Sequence, residues 1–553
     1  MNMQISRRAV LAAATAAIGT LKAEPSPLIP AIVKHHDESV EYYLKAQITD
    51  QSDRWRGTLK DEYGLPTWGS AGGMATSFAT AFLHPDSKFH HDRTMVQRIA
   101  LACDFLQRES TPDGNINLAI TNWNSTPDTA FCIRSMATGA ILLKRNNQQE
   151  VFALMDPYLR TAGRALATGG VHTPNHRWVV SAALSQLYEI YADPAYLRRI
   201  DQWFAEGMDI DADGQFDERS TGQYAPIVDA ALVTIAAKLN RPQLLDYVRR
   251  NLDATLYLLH ADYELVTEFS HRQDLNERRN AGSYWFPLHY LGMHDANGRY
   301  LTLSRQFAST AGSLAALMEY PELNQPGPSS APLPDDFEKT FPGLGLGRIR
   351  RGQTSVSILK DYSRFFTLRH GEAVLNGVRF SSAFFGKGQF TSDEWSKEGG
   401  SYKLVQHLEG PYFQPFTPPR TIHAGEWNKT RKDRQQSQIC RLEQIATITE
   451  TKKGFRVRVQ SHGTKDVPVA VEINFRAGGK FEGVEPAYKA QEAWILPSGA
   501  TGVFRAGKDE VRFGPGLKQH TYTAVRGAQP KLDGPSVYLT GFTPFDHCIE
   551  FEV

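Results

Sequence analysis

Gly169-Gly170-Val171-His172-Thr173-Pro174-Asn175-His176-Arg177-Trp178 and, after a helical interval, Asp213-Gly214-Gln215-Phe216-Asp217-Glu218-Arg219-Ser220-Thr221-Gly222-Gln223-Tyr224 decide how this chain is read. Each stretch sets amide, imidazole, guanidinium and phenol groups in a loop rich in Gly, Pro or Asp, immediately before apolar residues at helical spacing. Both packets therefore stand at helix N-termini, where backbone N–H groups lack intrahelical partners and the helix dipole favours an anion. Loops loaded with reactive polar groups on a rigid helical scaffold are where chemistry is usually presented. We read the two packets as two walls of one active site.

Outward from these loops the chain is helical from about Ser39 to Ser313. Apolar residues recur at three and four positions in Thr94 to Leu106, Thr126 to Leu143, Val151 to Leu166, Trp178 to Tyr191, Tyr224 to Leu239 and Gln243 to Leu258. Turn residues separate them, as in Ser110-Thr111-Pro112-Asp113-Gly114-Asn115. Antiparallel helix pairs joined by alternately short and long loops favour an (α/α) toroid whose long loops line a cleft. No fixed period is found, which argues against an ordinary solenoid. Between Pro321 and Gly347, six prolines and several glycines cannot continue a helix and mark a linker. Beyond it the period becomes two: Thr354 to Leu359, Phe365 to Leu368, Ile445 to Thr449, Phe455 to Val459, Val467 to Ile473, Val537 to Thr540 and the terminal Cys548 to Val553. The expected fold class is α+β and multidomain. Residues 1–23 form an export signal, 28–320 a toroid, 321–347 a linker and 348–553 an antiparallel β-sandwich.

Length excludes a single small core: 553 residues allow two to four domains. With 61 basic against 60 acidic side chains, the net charge of +1 gives no reason to invoke nucleic acid or a membrane surface. Ser6-Arg7-Arg8, the apolar run Ala9 to Gly19 and a cut after Ala23 read as a twin-arginine-like export signal, which places the mature protein in the periplasm or outside the cell. No later stretch reaches the roughly 18 apolar residues of a membrane span, so no membrane insertion is expected after signal removal. Cys103, Cys132, Cys440 and Cys548 form no CxxC or Cys/His pattern; Cys103 and Cys132 are a candidate disulfide or two buried thiols.

A helical toroid followed by an antiparallel β domain, with Asn175-His176, Glu218-Arg219-Ser220 through Tyr224, Asn122-Trp123-Asn124-Ser125-Thr126-Pro127-Asp128 and Ser270-His271-Arg272-Gln273-Asp274, resembles the polysaccharide lyases of the chondroitin AC lyase and heparinase II/III type. The likeness in architecture spans nearly the whole mature chain, and the motifs are narrower. It implies β-elimination on a uronic-acid glycan, with an acidic polysaccharide or oligosaccharide as partner, glucuronate chains as the first expectation and no required cofactor. Loss of the C5 proton beside an ionised carboxylate needs that carboxylate neutralised, by donors worth ~3 kcal/mol each when well placed. Asn175 and His176 fit this role, as an asparagine and a histidine do in the resembled enzymes. Tyrosine suits the proton transfer, because its phenolate takes the C5 proton and its phenol then gives one to the leaving oxygen. Tyr224 is the first choice and Tyr284 the runner-up. A cation favours phenolate, and Arg272, with His271 or Arg219 as alternatives, supplies it. Asn122, Trp123, Arg177, Trp178, His271, Gln273, Tyr284 and Trp285 are candidate sugar-binding residues, and Tyr402, His407, Tyr412 and Arg420 are β-domain groups that could reach the cleft.

Blander readings stand beside these. Asn175 is also an ordinary N-cap for a helix beginning near Arg177, Tyr224 a core aromatic, Asp128 a cap, and Arg272 the ion-pair partner of Asp274 or Glu277. Asp209, Asp211 and Asp213 read as half of a calcium loop, but position twelve is Ser220, so calcium is the minor alternative. His172 and His176 lack a third zinc ligand. HExxH, GxSxG, P-loop and dinucleotide signatures are missing. A glycoside hydrolase using Asp128, Asp217 and Glu218 is the alternative enzyme, and a non-catalytic glycan-binding protein the alternative class.

Overall fold

The computed structural model describes residues 29–488 and 490–553; the export signal expected at 1–23 lies outside them. The described chain divides into two compact units. One holds the residues up to Asp209 with Pro226–Arg249 and Gly282–Pro332, and the other holds Ile210–Ala225, Arg250–Ala281 and Leu333–Val553.

The first unit is helical. Its helices are α1 (Ile29–Ala46), α2 (Trp68–Leu83), α3 (Arg93–Glu109), α4 (Thr126–Arg145), α5 (Gln149–Thr168), α6 (Pro174–Tyr191), α7 (Pro194–Phe204), α8 (Tyr224–Leu239), α9 (Leu245–Thr255), α10 (Trp285–His294), α11 (Gly298–Ala311) and α12 (Leu314–Glu319), with the first residues of α8 and the last of α9 belonging to the other unit. α2 packs on α3 and α4, α4 on α5 and α6, and α6 on α7, while α12 closes on α1, α2 and α4. The even-numbered helices from α2 to α12 all line one cavity. They are therefore the inner ring of a toroid of antiparallel helix pairs. Small residues permit the close inner contacts: a Cβ at Gly72 would come within 2.6 Å of Cys132 Sγ, and one at Gly139 within 2.7 Å of Thr76 Oγ1. Cys103 and Cys132 are free and buried. Burial pushes the Cys132 thiol up to about 12, so neither thiol is poised for exchange.

The second unit is built on two antiparallel sheets. Nine strands run in the order Glu485–Pro486, Ala493–Ile495, Ser536–Phe542, Pro468–Phe475, Ala373–Ser382, Phe366–His370, Thr354–Leu359, Leu346–Arg351 and Asp336–Phe341, with one parallel pairing, between Ala493–Ile495 and Ser536–Phe542. Eight run in the order Lys480–Glu482, Gly502–Ala506, Asp509–Gly514, Phe545–Glu552, Gly454–Gly463, Gln436–Thr451, Ser401–Phe413 and Glu394–Glu398. Alternate residues of both sheets, among them Val356, Ile358, Phe366 and Val378 from the first and Leu404, Ile448, Val457 and Phe551 from the second, form a single core, as the alternating pattern requires of a sandwich. Two strands, Asp336–Phe341 and the start of Leu346–Arg351, fall inside the Pro/Gly-rich stretch.

The loop segments 210–225 and 250–281 are tied to this sandwich. Buried Arg348 donates to the Val356 carbonyl and to Ser355 and Ser357 in its own sheet, and also to the Leu259 carbonyl. Glu264 gathers Arg369 at 2.7 Å, Arg476 at 3.0 Å and Arg278 at 3.2 Å. Tyr362 donates to the Phe269 carbonyl at 2.8 Å. Ion pairs this deeply placed are held by several hydrogen bonds at once, and breaking one partner costs about 3 kcal/mol or more.

Candidate active site

In the helical unit, α6 begins at Pro174 with Thr173 as its N-cap. Asn175 therefore lies inside the first turn and is not the cap that a helix beginning near Arg177 would have made it. Its amide nitrogen donates to Thr173 Oγ1 at 3.3 Å, and both Asn175 and His176 are buried. The His176 ring meets His172 edge-on at 4.7 Å and Phe131 at 6.1 Å. A hairpin of Ile116–Leu118 and Asn122–Ser125 precedes α4. It leaves Trp123 68% exposed, and the Asn122 amide donates to Asp128 at 3.0 Å. Ser125 is the N-cap of α4 and exchanges hydrogen bonds with Asp128, so that carboxylate is occupied in fixing the helix start.

Other sugar-binding candidates of this unit are differently placed. Trp178 is fully buried, donates to Asp209 at 2.7 Å and packs on Phe204. Arg177 lies over its ring and pairs with Glu206 and Asp209, each at 3.3 Å. Tyr284 is fully buried, and Trp285 is buried and stacked on His289. Trp178 and Trp285 have no face to offer a sugar, because Phe204 and His289 cover them in the packed interior.

In the sandwich unit, the loops around Ser220 and Ser270 are fastened together by one buried carboxylate. Asp274 accepts from the Ser220 hydroxyl at 2.8 Å, the Gly222 backbone N–H at 2.8 Å and the Ser270 hydroxyl at 2.5 Å. The Ser220 oxygen in turn accepts from the backbone N–H of Tyr224. The result sets the Tyr224 hydroxyl 3.3 Å from Gln273 Oε1 and the Arg272 guanidinium 4.9 Å from the centre of the Tyr224 ring. Asp274 is thus not the ion-pair partner of Arg272. Among the described residues Arg272 has no carboxylate within 4.0 Å, and its buried Nε has no hydrogen-bond partner. Arg219 is held at φ +48° and donates to the Gly343 carbonyl, while burial, helped by the Arg219 charge, pulls His271 below the ordinary histidine value. Of the three candidate cations, Arg272 is the one set against the phenol ring. Arg219, His271 and Arg272 line a cavity of about 630 Å³ with Lys360 and Tyr362. Lys360 and Tyr362 escaped the sequence reading because they sit in a turn after a strand, with only a positive-φ Asp361 between them as a signal.

Asp217 is exposed and Glu218 buried. Asp211 Oδ1 accepts from the Gln215 N–H and Asp213 Oδ2 from the Leu344 N–H, so each carboxylate of this turn has a protein donor. Among the described residues no group of three or more His, Cys, Asp or Glu is arranged to hold a metal ion. Of the β-domain groups, Tyr402 is buried in the sandwich core and bonded to Thr340. Tyr412 is 55% exposed, and Arg420 lies over Phe416.

Solved structures that share this architecture include the following two. Paenibacillus xanthan lyase superposes with a TM-score of 0.55 at 11% identity, over 95% of this chain and 57% of that one. Streptomyces coelicolor A3 chondroitin AC lyase, solved in complex with chondroitin sulphate, superposes with a TM-score of 0.53 at 12% identity, over 95% of this chain and 79% of that one. The chain has the fold of these polysaccharide lyases and spans little more than half the length of the xanthan lyase. No family model matches the chain, and no curated protein matches it in sequence.

Proposed function

We propose that this protein is an exported polysaccharide lyase that cleaves 4-linked uronic-acid glycans by β-elimination, with glucuronate-type chains as the first substrates to try. The observation that carries the reading is the phenol of Tyr224 beneath an arginine that has no carboxylate partner, with Gln273 at its hydroxyl. Tyr224 is the proposed proton-transfer group and Arg272 the proposed cation beside it. The phenolate takes the C5 proton, the electron pair forms the C4–C5 double bond, the C4–O bond breaks, and the phenol returns its proton to the departing oxygen. Asn175 and His176 are the proposed donors to the uronate carboxylate, whose charge grows as C5 is deprotonated. The lining sets Arg219, Arg272 and Lys360 against the one carboxylate of Asp361, which pairs with Lys360 at 3.7 Å, and the remaining positive charge suits an acidic chain. Among the described residues no helix is long and apolar enough to cross a membrane, and a periplasmic or secreted location accompanies the proposal.

The test follows ultraviolet absorbance of the unsaturated product while the mature protein is incubated with a panel of uronate polysaccharides. Absorbance should rise with wild type, survive Asp217→Asn, and fall at least about a hundredfold in Tyr224→Phe. Reducing ends appearing without absorbance, and lost in Asp217→Asn, would reject elimination in favour of hydrolysis.

A further inference from the structure

The cavity lined by the inner helices of the toroid has a volume of about 500 Å³. The wall that α4 presents to it is Phe131, Arg134, Ser135 and Thr138, one face of a helix at i, i+3, i+4 and i+7. An inner helix of a packed ring would fill such a stripe with apolar side chains, as α4 does on its other faces with Ala130, Ile133, Met136 and Ala137. Here the stripe is polar and only half-buried.

Three groups in the wall lack hydrogen-bond partners among the described residues: the Tyr320 hydroxyl, the Arg134 guanidinium and Gln186 Oε1. Among the described residues, Arg134 makes no side-chain hydrogen bond and no ion pair within 4.0 Å; its main electrostatic neighbours are Tyr320 and Glu319. Glu319 is already engaged by Lys238 at 2.6 Å and by the Thr138 hydroxyl at 2.9 Å, and Lys238 and Arg145 are shared with Glu189. Three cations thus stand against two carboxylates, and the unmatched charge is that of Arg134. Burial lowers this guanidinium to about 10, which leaves it charged at neutral pH. Opposite, Gln186 is 4% exposed and spends its N–H on Thr138, so its Oε1 accepts from nothing. A buried acceptor left open is costly, a half-buried cation without a counter-ion less so, and a ligand that satisfies both offsets those costs. Phe131 and Phe286 add flat apolar faces.

We infer that this cavity is a binding site for a small sugar acid, whose carboxylate pairs with Arg134, whose hydroxyl donates to Gln186 Oε1 and whose ring packs on an aromatic face. The volume suits a single residue with water, since small-molecule sites span roughly 300–1,000 Å³. The cavity borders the proposed catalytic histidine, since its Phe131 meets the His176 ring at 6.1 Å, but its occupancy is read by binding alone and needs no bond cleavage.

The experiment is calorimetric titration of the full chain with glucuronate and, separately, glucose and sodium sulfate, repeated on Arg134→Gln and on Ala230→Leu, which fills the cavity from α8. Glucuronate should bind wild type and lose at least about tenfold in affinity in each variant, with circular dichroism showing that both stay folded. The site as proposed is overturned by any of three results: no heat from glucuronate up to about 10 mM, glucose binding as tightly as glucuronate, or undiminished binding in both variants. Sulfate binding as tightly as glucuronate would equally reject a sugar-acid site in favour of an unspecific anion site.

Discussion

Asp229, in the middle of α8, is buried and neither carboxylate oxygen has a hydrogen-bond partner among the described residues. Burial alone raises this carboxyl well above the usual range. A group whose folded pKa exceeds its unfolded value binds a proton more tightly when folded, so its effect on stability is neutral below the unfolded value near 3.8. It then turns progressively unfavourable as pH rises toward the folded value, at about 1.4 kcal/mol per pH unit. Asp229→Asn should therefore match wild type near pH 4 in urea unfolding and become the more stable protein as pH climbs to 7. A stability difference that stays flat across that range would show that the carboxyl titrates normally. At this scale the sequence is legible where residue type alone limits the chemistry. Tyr224, Arg272 and Gln273 stood out as phenol, cation and amide in loops, and the structure brings these three together. It is illegible where the same type serves two roles: Trp123 is exposed in the hairpin before α4 and Trp178 buried in α6, though both follow polar residues.

The elements that present the candidate site are loops, and loops are fixed by long-range bonds that no local pattern announces. Ser220 and Asp274 are 54 positions apart, and Asp274 has the appearance of a surface carboxylate in Ser270-His271-Arg272-Gln273-Asp274. Gly222 is required at the same junction, since a Cβ there would lie 3.0 Å from Asp274 Oδ2. Asp274→Ala should leave two hydroxyls and one backbone N–H unsatisfied, destabilise by about 3 kcal/mol, and lower kcat far more than it raises KM, because Tyr224 and Arg272 lose their common anchor. Steady-state kinetics on a uronate polysaccharide, beside urea unfolding, checks both; a kcat within about twofold of wild type would show that the two loops hold their positions without it. Helices and strands, by contrast, were open to reading. Tyr224 to Leu239 and Thr354 to Leu359 were expected as elements with the bounds they have. α2 carried no such signal, because Gly, Ala, Ser and Thr on all sides give no periodic stripe even though twelve of its residues are buried.

Across the whole molecule, the order of elements along the chain and their grouping in space differ. Periodicity announces helices up to residue 313 and strands after the Pro/Gly-rich stretch, yet Ile210–Ala225 and Arg250–Ala281 belong with the sandwich. Their allegiance rests on side chains more than 80 positions away, as when Arg348 bonds the Leu259 carbonyl and Arg369 and Arg476 enclose Glu264. Arginine pairing at such range has no signature in local sequence, which is why the helical region and the unit boundaries could not be matched from periodicity. A chain ending at Pro332 should consequently keep the helices of the first unit but lose the partners of both segments. Glu264 would be left without Arg369 and Arg476, and the Phe269 carbonyl without Tyr362. The expected outcome is a protein with helical circular dichroism, rapid proteolytic cleavage between residues 256 and 281, and no elimination activity, because Tyr224 and Arg272 sit in those unsupported segments. Limited proteolysis with mass mapping, run beside the full chain, decides it. Equal protection of 256–281 in the two proteins would mean that the segments fold on the helical unit alone and that the sandwich is dispensable to the placement of Tyr224.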